Sequence, residues 1–496
     1  MQFPRAVHRC SAPAAATLLA SVGLVCVAGA AHADGPPVVF GAPANLSTGN
    51  QPYAAALADV NGDGKLDIVA GDYGDNALSV LLGNGNGTFQ AKVDSAAGTH
   101  PNSVVLADVN GDSKLDAVVA NFDQSAVSVM LGNGDGTFQG PTSFSTGNAG
   151  STYFAAAGDL NADAKADLVV ANGDLVTVFT GDGTGAFTKT ADLATGSRTT
   201  FVSLTDVNGD GVRDILATNR NSDDVSVLLG NGNATFQPAV NYGAGDGPNG
   251  LAVGDVNGDG KLDLAVADRL GNTVAVLLGN GNGTFGAASL LTAGTSPYRV
   301  GLTDFNGDGK LDIAAANRST NNVSVMLGNG NGTFAPKTDV STGVGPTDVQ
   351  IADLNGDLKA DFVSAGYGSA TVSVLLNTTP LALSFSGDVL HITPPPAPNA
   401  ATRYVVQYNT PARVAANKPW GVWAANWPTA TAKLSLNLQT LKLAAPCQAF
   451  GGAGVLCTRP PVVGTQGTGP AQTKVYRVYA FNGTTWSAPS ALTVTR

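Results

Sequence analysis

Glutamate is absent from all 496 residues of this chain; each of its 37 acidic residues is aspartate. That absence removes the bidentate ligand that closes a helix-loop-helix calcium site at its twelfth position. It also removes the base of a His-Glu-x-x-His zinc helix. Histidine is nearly as scarce, four in all, and two of these, His8 and His32, precede residue 34. His100 and His391 remain, far apart in sequence, and no Gly-x-Ser-x-Gly elbow occurs, so the common hydrolase constellations lack their material. Charged residues are only 13% of the chain while glycine reaches 63. Aspartate and glycine favour turns over helix interiors, so the composition points to an all-β, turn-rich protein. A net charge of −11 argues against nucleic acid as a partner.

The N-terminus has the form of an export leader. Arg5 and Arg9 precede an uncharged apolar run, Ala14 to Ala31, and Ala31-His32-Ala33 is a small-x-small cleavage site. Residues 1–33 are therefore expected to leave, which makes the mature protein secreted, extracellular or periplasmic. The apolar run is short for a membrane span, and no later segment is apolar enough to be one. Cys10 and Cys26 leave with the leader. Cys447 and Cys457 remain in a compartment that permits disulfides, and a bridge between them is expected.

What is present is a repeat. The pattern Asp-x-Asn-x-Asp-x-x-x-Asp opens at Asp59, Asp108, Asp159, Asp206, Asp255, Asp304 and Asp353, at steps of 49, 51, 47, 49, 49 and 49 residues. Twenty-one of the 37 aspartates lie in these seven loops. A fixed period near 50 residues marks a repeat architecture. Each repeat reads as four short strands, and the second shows it: Ser103–Ala107, then the acidic loop, then Leu115–Ala120 and Val127–Leu131. The turn Gly132–Phe138 leads into the fourth strand. It recurs as Gly83–Phe89, Gly181–Phe187, Gly230–Phe236, Gly279–Phe285 and Gly328–Phe334, with its Phe expected to pack between sheets.

The ends of the array point to a ring. Phe40 precedes Asp59 by the same 19 residues that separate Phe89 from Asp108, so Val38 to Ser47 is a fourth strand with no first three before it. The seventh repeat stops after its third strand, Val372 to Leu376. The orphan strand would complete the last blade, which describes a seven-bladed β-propeller of four-stranded blades over 34–379. A linear solenoid would need capping repeats instead. Asp-Val-Asn-Gly-Asp-Gly-Lys-Leu-Asp followed by Gly-Asn-Gly-x-Gly-Thr-Phe resembles the FG-GAP/VCBS repeats and is similar to the propeller of integrin α-subunits. The resemblance implies Ca²⁺ in the loop between the first and second strands of each blade, and does not imply one activity.

Oxygen donors at alternate positions of a tight loop suit a hard divalent cation. In the first loop the set is Asp59, Asn61, Asp63 and Asp67 through side chains, with Lys65 through its backbone carbonyl. The second is Asp108, Asn110, Asp112, Lys114 and Asp116; the third is Asp159, Asn161, Asp163, Lys165 and Asp167. The fourth is Asp206, Asn208, Asp210, Val212 and Asp214; the fifth is Asp255, Asn257, Asp259, Lys261 and Asp263. The sixth is Asp304, Asn306, Asp308, Lys310 and Asp312; the seventh is Asp353, Asn355, Asp357, Lys359 and Asp361. Gly holds the sixth position in four loops, and Ser113, Ala164 and Leu358 replace it in the others. A positive φ there costs a side chain, so those sites are expected to be weaker. Removing Arg5 and Arg9 with the leader takes the charge to −13, and seven Ca²⁺ would bring +14.

The opposite face is where the repeats differ. Just past the second strand stand Tyr73, Phe122, Gly173, Arg220, Arg269, Arg318 and Tyr367. The aromatics fall on adjacent blades seven, one and two, and the arginines on blades four, five and six. Six residues before each loop stand Tyr53, Asn102, Tyr153, Thr200, Asn249, Tyr298 and Thr347, and His100 sits in a crossover. Aromatic planes beside cationic forks suit a sugar ring or an acidic chain.

After Pro380 the repeat ends. Asp388–Ile392, Tyr404–Tyr408, Lys433–Leu436 and Val475–Ala480 read as strands, and Trp486–Ser490 followed by Leu492–Val494 resembles the last strand of a fibronectin type III module. That resemblance implies a β-sandwich over 380–496, with Cys447 and Cys457 in an insertion. Trp420, Trp423 and Trp427 cluster in one stretch. The whole reads as a secreted Ca²⁺-binding propeller that binds an extracellular glycan or protein. A polysaccharide lyase or hydrolase and a purely structural module stay open beside it.

Overall fold

The computed structural model describes residues 37–379 apart from Ala149, and beyond them the backbone of nine strands between Leu383 and Thr495. The leader expected over 1–33 lies outside the described residues. Seven four-stranded antiparallel sheets make up 37–379. The first blade is β2 (Pro52–Ala58), β3 (Asp67–Asp72), β4 (Ala77–Leu81) and β5 (Val93–Ala96), in that spatial order. The last blade pairs Gln350–Ala352, Asp361–Gly366 and Thr371–Leu375 with β1 (Ala44–Ser47) from the other end of the propeller. Leu46 faces Val372 in that pairing, and Phe40 bridges to Asn377. The ring is closed by the orphan strand, as the spacing of Phe40 predicts.

Burial follows position within each blade. The second strand is buried at every residue in all seven blades, whereas most outer strands are exposed at three of four. Side chains of successive sheets interdigitate in seven clusters, one at each blade interface. At the closure, Ile68, Ala70 and Leu81 of blade one pack on Val363, Val372 and Val374 of blade seven, with Phe89 against them. The turn phenylalanines Phe138, Phe187, Phe236, Phe285 and Phe334 fill the equivalent places. Each such side chain contributes about 1.5–3 kcal/mol by leaving water.

Strand boundaries differ from expectation by one or two residues. In the second repeat the strands run Pro101–Ala107, Asp116–Asn121 and Ala126–Met130. Proline is tolerated as a strand's first residue because no ladder bond is asked of its nitrogen, and the register slips just after it, between Pro101 and Ser103.

Past 380 the strands form three sheets. Leu383–Ser386, Val389–Ile392 and Leu434–Asn437 are one; Gly421–Asn426, Arg403–Asn409, Thr473–Phe481 and Ser490–Thr495 are another; Gln448–Ala449 and Val455–Leu456 make a short hairpin. The expected Cys447–Cys457 bridge, Trp420, Trp427 and the packing that would make a sandwich lie outside the described residues. Among the described residues no helix is long and apolar enough to cross a membrane.

Candidate functional site

Two faces carry chemistry, and strand direction separates them. Loops between strands one and two, and between three and four, share one face; crossovers and two-to-three loops share the other.

On the first face each acidic loop is a succession of side-chain-capped turns. Asp59 accepts the N–H groups of Gly62 and Gly64 at 2.7 Å each, Asn61 accepts that of Asp63 at 2.9 Å, and Asp63 accepts that of Lys65 at 3.0 Å. The chain turns through left-handed backbone at both the fourth and sixth positions, Gly62 (φ 76) and Gly64 (φ 80). Ser113 (φ 65), Ala164 (φ 64) and Leu358 (φ 66) hold the same conformation with a side chain, as does Ala162 (φ 62) at the fourth position. Lysine at the seventh position leans back over its loop, Lys65 Nζ lying 3.0 Å from Asp63 and Lys261 Nζ 3.3 Å from Asp259. Val212 leaves the fourth loop without this partner.

The ninth-position aspartates have a role beyond the loop. Asp67 is fully buried; one oxygen accepts the Val60 N–H at 2.9 Å and the other the Gly83 N–H at 2.7 Å. The same double clamp recurs at Asp116, Asp167, Asp214, Asp263, Asp312 and Asp361. It ties the acidic loop to the three-to-four turn in the first six blades, and in the seventh to Asn377, just past the third strand. Burial, with repulsion from Asp304 and Asp308 added, pushes Asp312 up to about 7, and burial pushes Asp361 to about 8. Among the described residues no three Asp, Glu, His or Cys side chains are arranged to hold a metal ion by themselves. The donor set each loop offers is wider, since it includes the Asn amide oxygen and a backbone carbonyl, and its all-oxygen chemistry fits a hard divalent cation.

On the second face the variable residues meet around the mouth of the central channel. Arg269 lies over the Tyr298 ring at 4.5 Å; Arg318 lies over Tyr298 at 5.1 Å and over Tyr367 at 4.4 Å. Arg318 also donates to the Tyr298 hydroxyl at 2.6 Å. Tyr367 meets Tyr73 (6.2 Å) and Tyr53 (5.8 Å), and Tyr73 stacks on His100 at 4.4 Å and 13°. Phe122 packs edge-on against Tyr153 at 5.2 Å, and Arg198 Nε donates to the Tyr153 hydroxyl at 3.1 Å. Arg220 stands between Arg198 and Arg269, whose charges add to burial in depressing its pKa. The residues thus form one annulus through all seven blades. Gly173 marks a gap in it, since a Cβ there would meet nothing within 4 Å.

This differs from two separate arcs. Arg318 is a wedge between two tyrosines, lying over both rings and donating to the Tyr298 hydroxyl. Sequence position gave no sign of Arg198, which takes a third place beside Arg220 and Arg269. It also gave no sign of His100 Nδ1 lying 2.6 Å from Asp123. A signal existed: Gln51, His100, Arg198 and Ser296 all precede a first strand in left-handed backbone, where two other blades use Gly247 and Gly345.

Below the mouth the channel is plugged. Arg299 of blade six reaches Phe154 of blade three and Phe201 of blade four, 4.4 Å above each ring. Blades so far apart in the ring meet only across its axis. Gly250 makes room for this, since a Cβ would fall 2.7 Å from Arg299 Cδ. Asp348, also buried, faces the guanidinium electrostatically and accepts the Ala55 N–H at 3.0 Å.

No curated protein matches the chain in sequence. Among solved structures, a lectin of Agrocybe aegerita, described as recognising non-reducing terminal N-acetylglucosamine, is 20% identical. The match covers 69% of this chain and 96% of the lectin, at a TM-score of 0.44. A chain from the complex of BBS1N with ARL6DN is 14% identical over 69% of this chain and 98% of its own length, with a TM-score of 0.50. A protein from Lactobacillus plantarum is 16% identical over 60% and 86%, with a TM-score of 0.47. Residues 59–119, 108–170, 159–217, 206–266, 255–315 and 304–364 each match the FG-GAP-like repeat. The chain belongs to the FG-GAP-like repeat family, here closed into a seven-bladed β-propeller.

Proposed function

We propose that this protein is exported, that its acidic loops hold about seven Ca²⁺ ions, and that it binds an extracellular glycan or protein through the channel mouth. The observation that carries the reading is the annulus. Seven repeats that agree elsewhere put Tyr53, Tyr73, Tyr298 and Tyr367, with arginines among them, around one opening. Tyr53, Tyr73 and Tyr367 are half-buried, and aromatic rings with polar tips are suited to recognition, because they offer large contact area at small entropic cost. Calcium would act as a clamp: Asp59, Asn61, Asp63 and Asp67, the Lys65 carbonyl and their equivalents would hold it, and it would offset the carboxylates' mutual repulsion. The C-terminal segment we read as a fibronectin type III-like sandwich. Its strand orders support this: setting the hairpin aside, they are 1-2-5 in one sheet and 4-3-6-7 in the other. Adhesion through the channel mouth is the role we propose for the whole.

The test is a glycan and protein-ligand array probed with the mature protein in Ca²⁺ and in chelator, beside a Tyr73→Ala/Tyr367→Ala variant. Hits that need Ca²⁺ and both tyrosines are expected; hits indifferent to the tyrosines would move the site elsewhere, with the Trp420–Trp427 stretch next. His100, held by Asp123 and stacked on Tyr73, favours a second reading as a polysaccharide lyase, since elimination from a uronate needs a base beside tyrosine and arginine. Acidic polysaccharides that give no ultraviolet-absorbing unsaturated product would end that reading.

A further inference from the structure

The annulus contains an arc of positive charge that makes no ion pair among the described residues. Among the described residues, ion pairs are made by lysines and His100, and none by an arginine. Arg198, Arg220 and Arg269 nevertheless stand side by side on blades four and five. Arg269 Nε is buried, with no hydrogen-bond partner among the described residues. The nearby carboxylates are engaged by backbone: Asp174 accepts the Arg198 N–H at 2.6 Å, and Asp223 the Gly247 N–H at 2.9 Å. Arg198 also holds a left-handed backbone (φ 59) at a turn where the next blade uses Gly247 (φ 73). A side chain there costs roughly 1–2 kcal/mol.

Three neighbouring guanidinium groups that share no ion pair repel one another, and an anion among them relieves that repulsion. Across the mouth stands the opposite kind of surface, the rings of Tyr367, Tyr73 and Phe122, with centroids 6.2 and 6.0 Å apart in sequence round the ring. We propose that the arc of Arg198, Arg220 and Arg269 seats the acidic group of a sugar, a carboxylate or a sulfate, whose ring lies on the tyrosines across the mouth. This rests on the reading of the mouth as a ligand site and names its ligand class. An acidic peptide would use the arginines but leaves the aromatic planes without a purpose.

The experiment measures affinity of the full mature protein, in Ca²⁺, for oligogalacturonate, dextran sulfate, neutral dextran and poly-glutamate at two salt concentrations. Binding to one or both acidic sugars, weakened by salt, is expected, with neutral dextran unbound. The first two probes tell carboxylate from sulfate. Arg198→Gln with Arg220→Gln is expected to lose about tenfold or more in affinity, since hydrogen bonds to charged groups are the strong ones. Arg220→Lys keeps the charge without the fork, is expected to lose less, and supplies the reading should the Gln pair not fold. Poly-glutamate binding as tightly as the sugars, or acidic sugars binding equally to wild type and Gln variant, would overturn the ligand class. If array hits still require Tyr73 and Tyr367, the mouth remains a ligand site with a neutral ligand; if no hit requires them, both readings fall.

Discussion

Replacing Asp72 with asparagine is expected to make this protein more stable at neutral pH. Asp72 ends β3 and is fully buried. At the equivalent place blades two, four and six carry Asn121, Asn219 and Asn317, each donating from its amide to the next strand's serine at 2.7, 2.7 and 2.8 Å. In blade one the order is inverted. Ser79 stands 2.6 Å from Asp72 and 2.8 Å from Asp94, so one hydroxyl hydrogen faces two carboxylates. Among the described residues Asp72 Oδ1 has no hydrogen-bond partner. Burial, against the opposing help of Ser79 and Gly49, pushes the Asp72 carboxyl up to about 6. A folded-state pKa above the ordinary 3.8 means that the folded protein holds a proton the unfolded chain has released between about pH 4 and 6. The stability Asp72 contributes is therefore present below about pH 4 and lost as pH rises through about 6. The gap is worth at most about 3 kcal/mol at 1.36 kcal/mol per unit. Asp72→Asn supplies the missing donor and cannot ionise. Paired denaturant melts at several pH values should show wild type and variant converging near pH 4 and the variant ahead by up to about 3 kcal/mol at pH 7. A variant that is less stable at pH 7, or a difference that does not change with pH, would refute the reasoning.

Deleting Val38 to Ser47 should expose the edge of the seventh blade and cause aggregation or a large loss of stability, read by light scattering and melting; a stable monomer would argue against ring closure. Arg299→Ala should cost about 1–3 kcal/mol, because it takes the guanidinium from over the Phe154 and Phe201 rings and removes the positive charge facing buried Asp348. A second substitution, Asp348→Ala, should recover part of that in a double-mutant cycle, and strict additivity would mean the two do not interact. Ser113→Gly or Leu358→Gly should strengthen Ca²⁺ binding at its own loop, because each residue holds a left-handed backbone at a cost of about 1 kcal/mol; unchanged metal affinity would count against it.

Much of the ring was legible because its instructions are periodic. The loop from Asp59 to Asp67 and the turn from Gly83 to Phe89 recur in phase, and Phe40 at the right distance from Asp59 exposes the closing strand. Contacts between blades that are neighbours in sequence follow from that period. Contacts across the axis do not. Nothing in the neighbourhood of Arg299 announces Phe154 or Phe201, which come from other repeats and meet it only because the ring closes. The mouth was legible as a list and not as a geometry: Tyr73, Phe122, Tyr367 and the arginines sit where their register puts them, but Arg318 turns onto Tyr298 and Tyr367. Asp67 was read as a cation ligand, and its clamp on Val60 and Gly83 was hidden because one nonapeptide position serves both uses.

The most direct measurement of the account is native mass spectrometry of the mature protein, equilibrated with Ca²⁺ and then with EDTA, followed by a melt of each sample. The account predicts about seven bound ions, one for each acidic loop, and a melting temperature that falls by many degrees when they are removed. A protein that carries no calcium and melts alike in both solutions would contradict it.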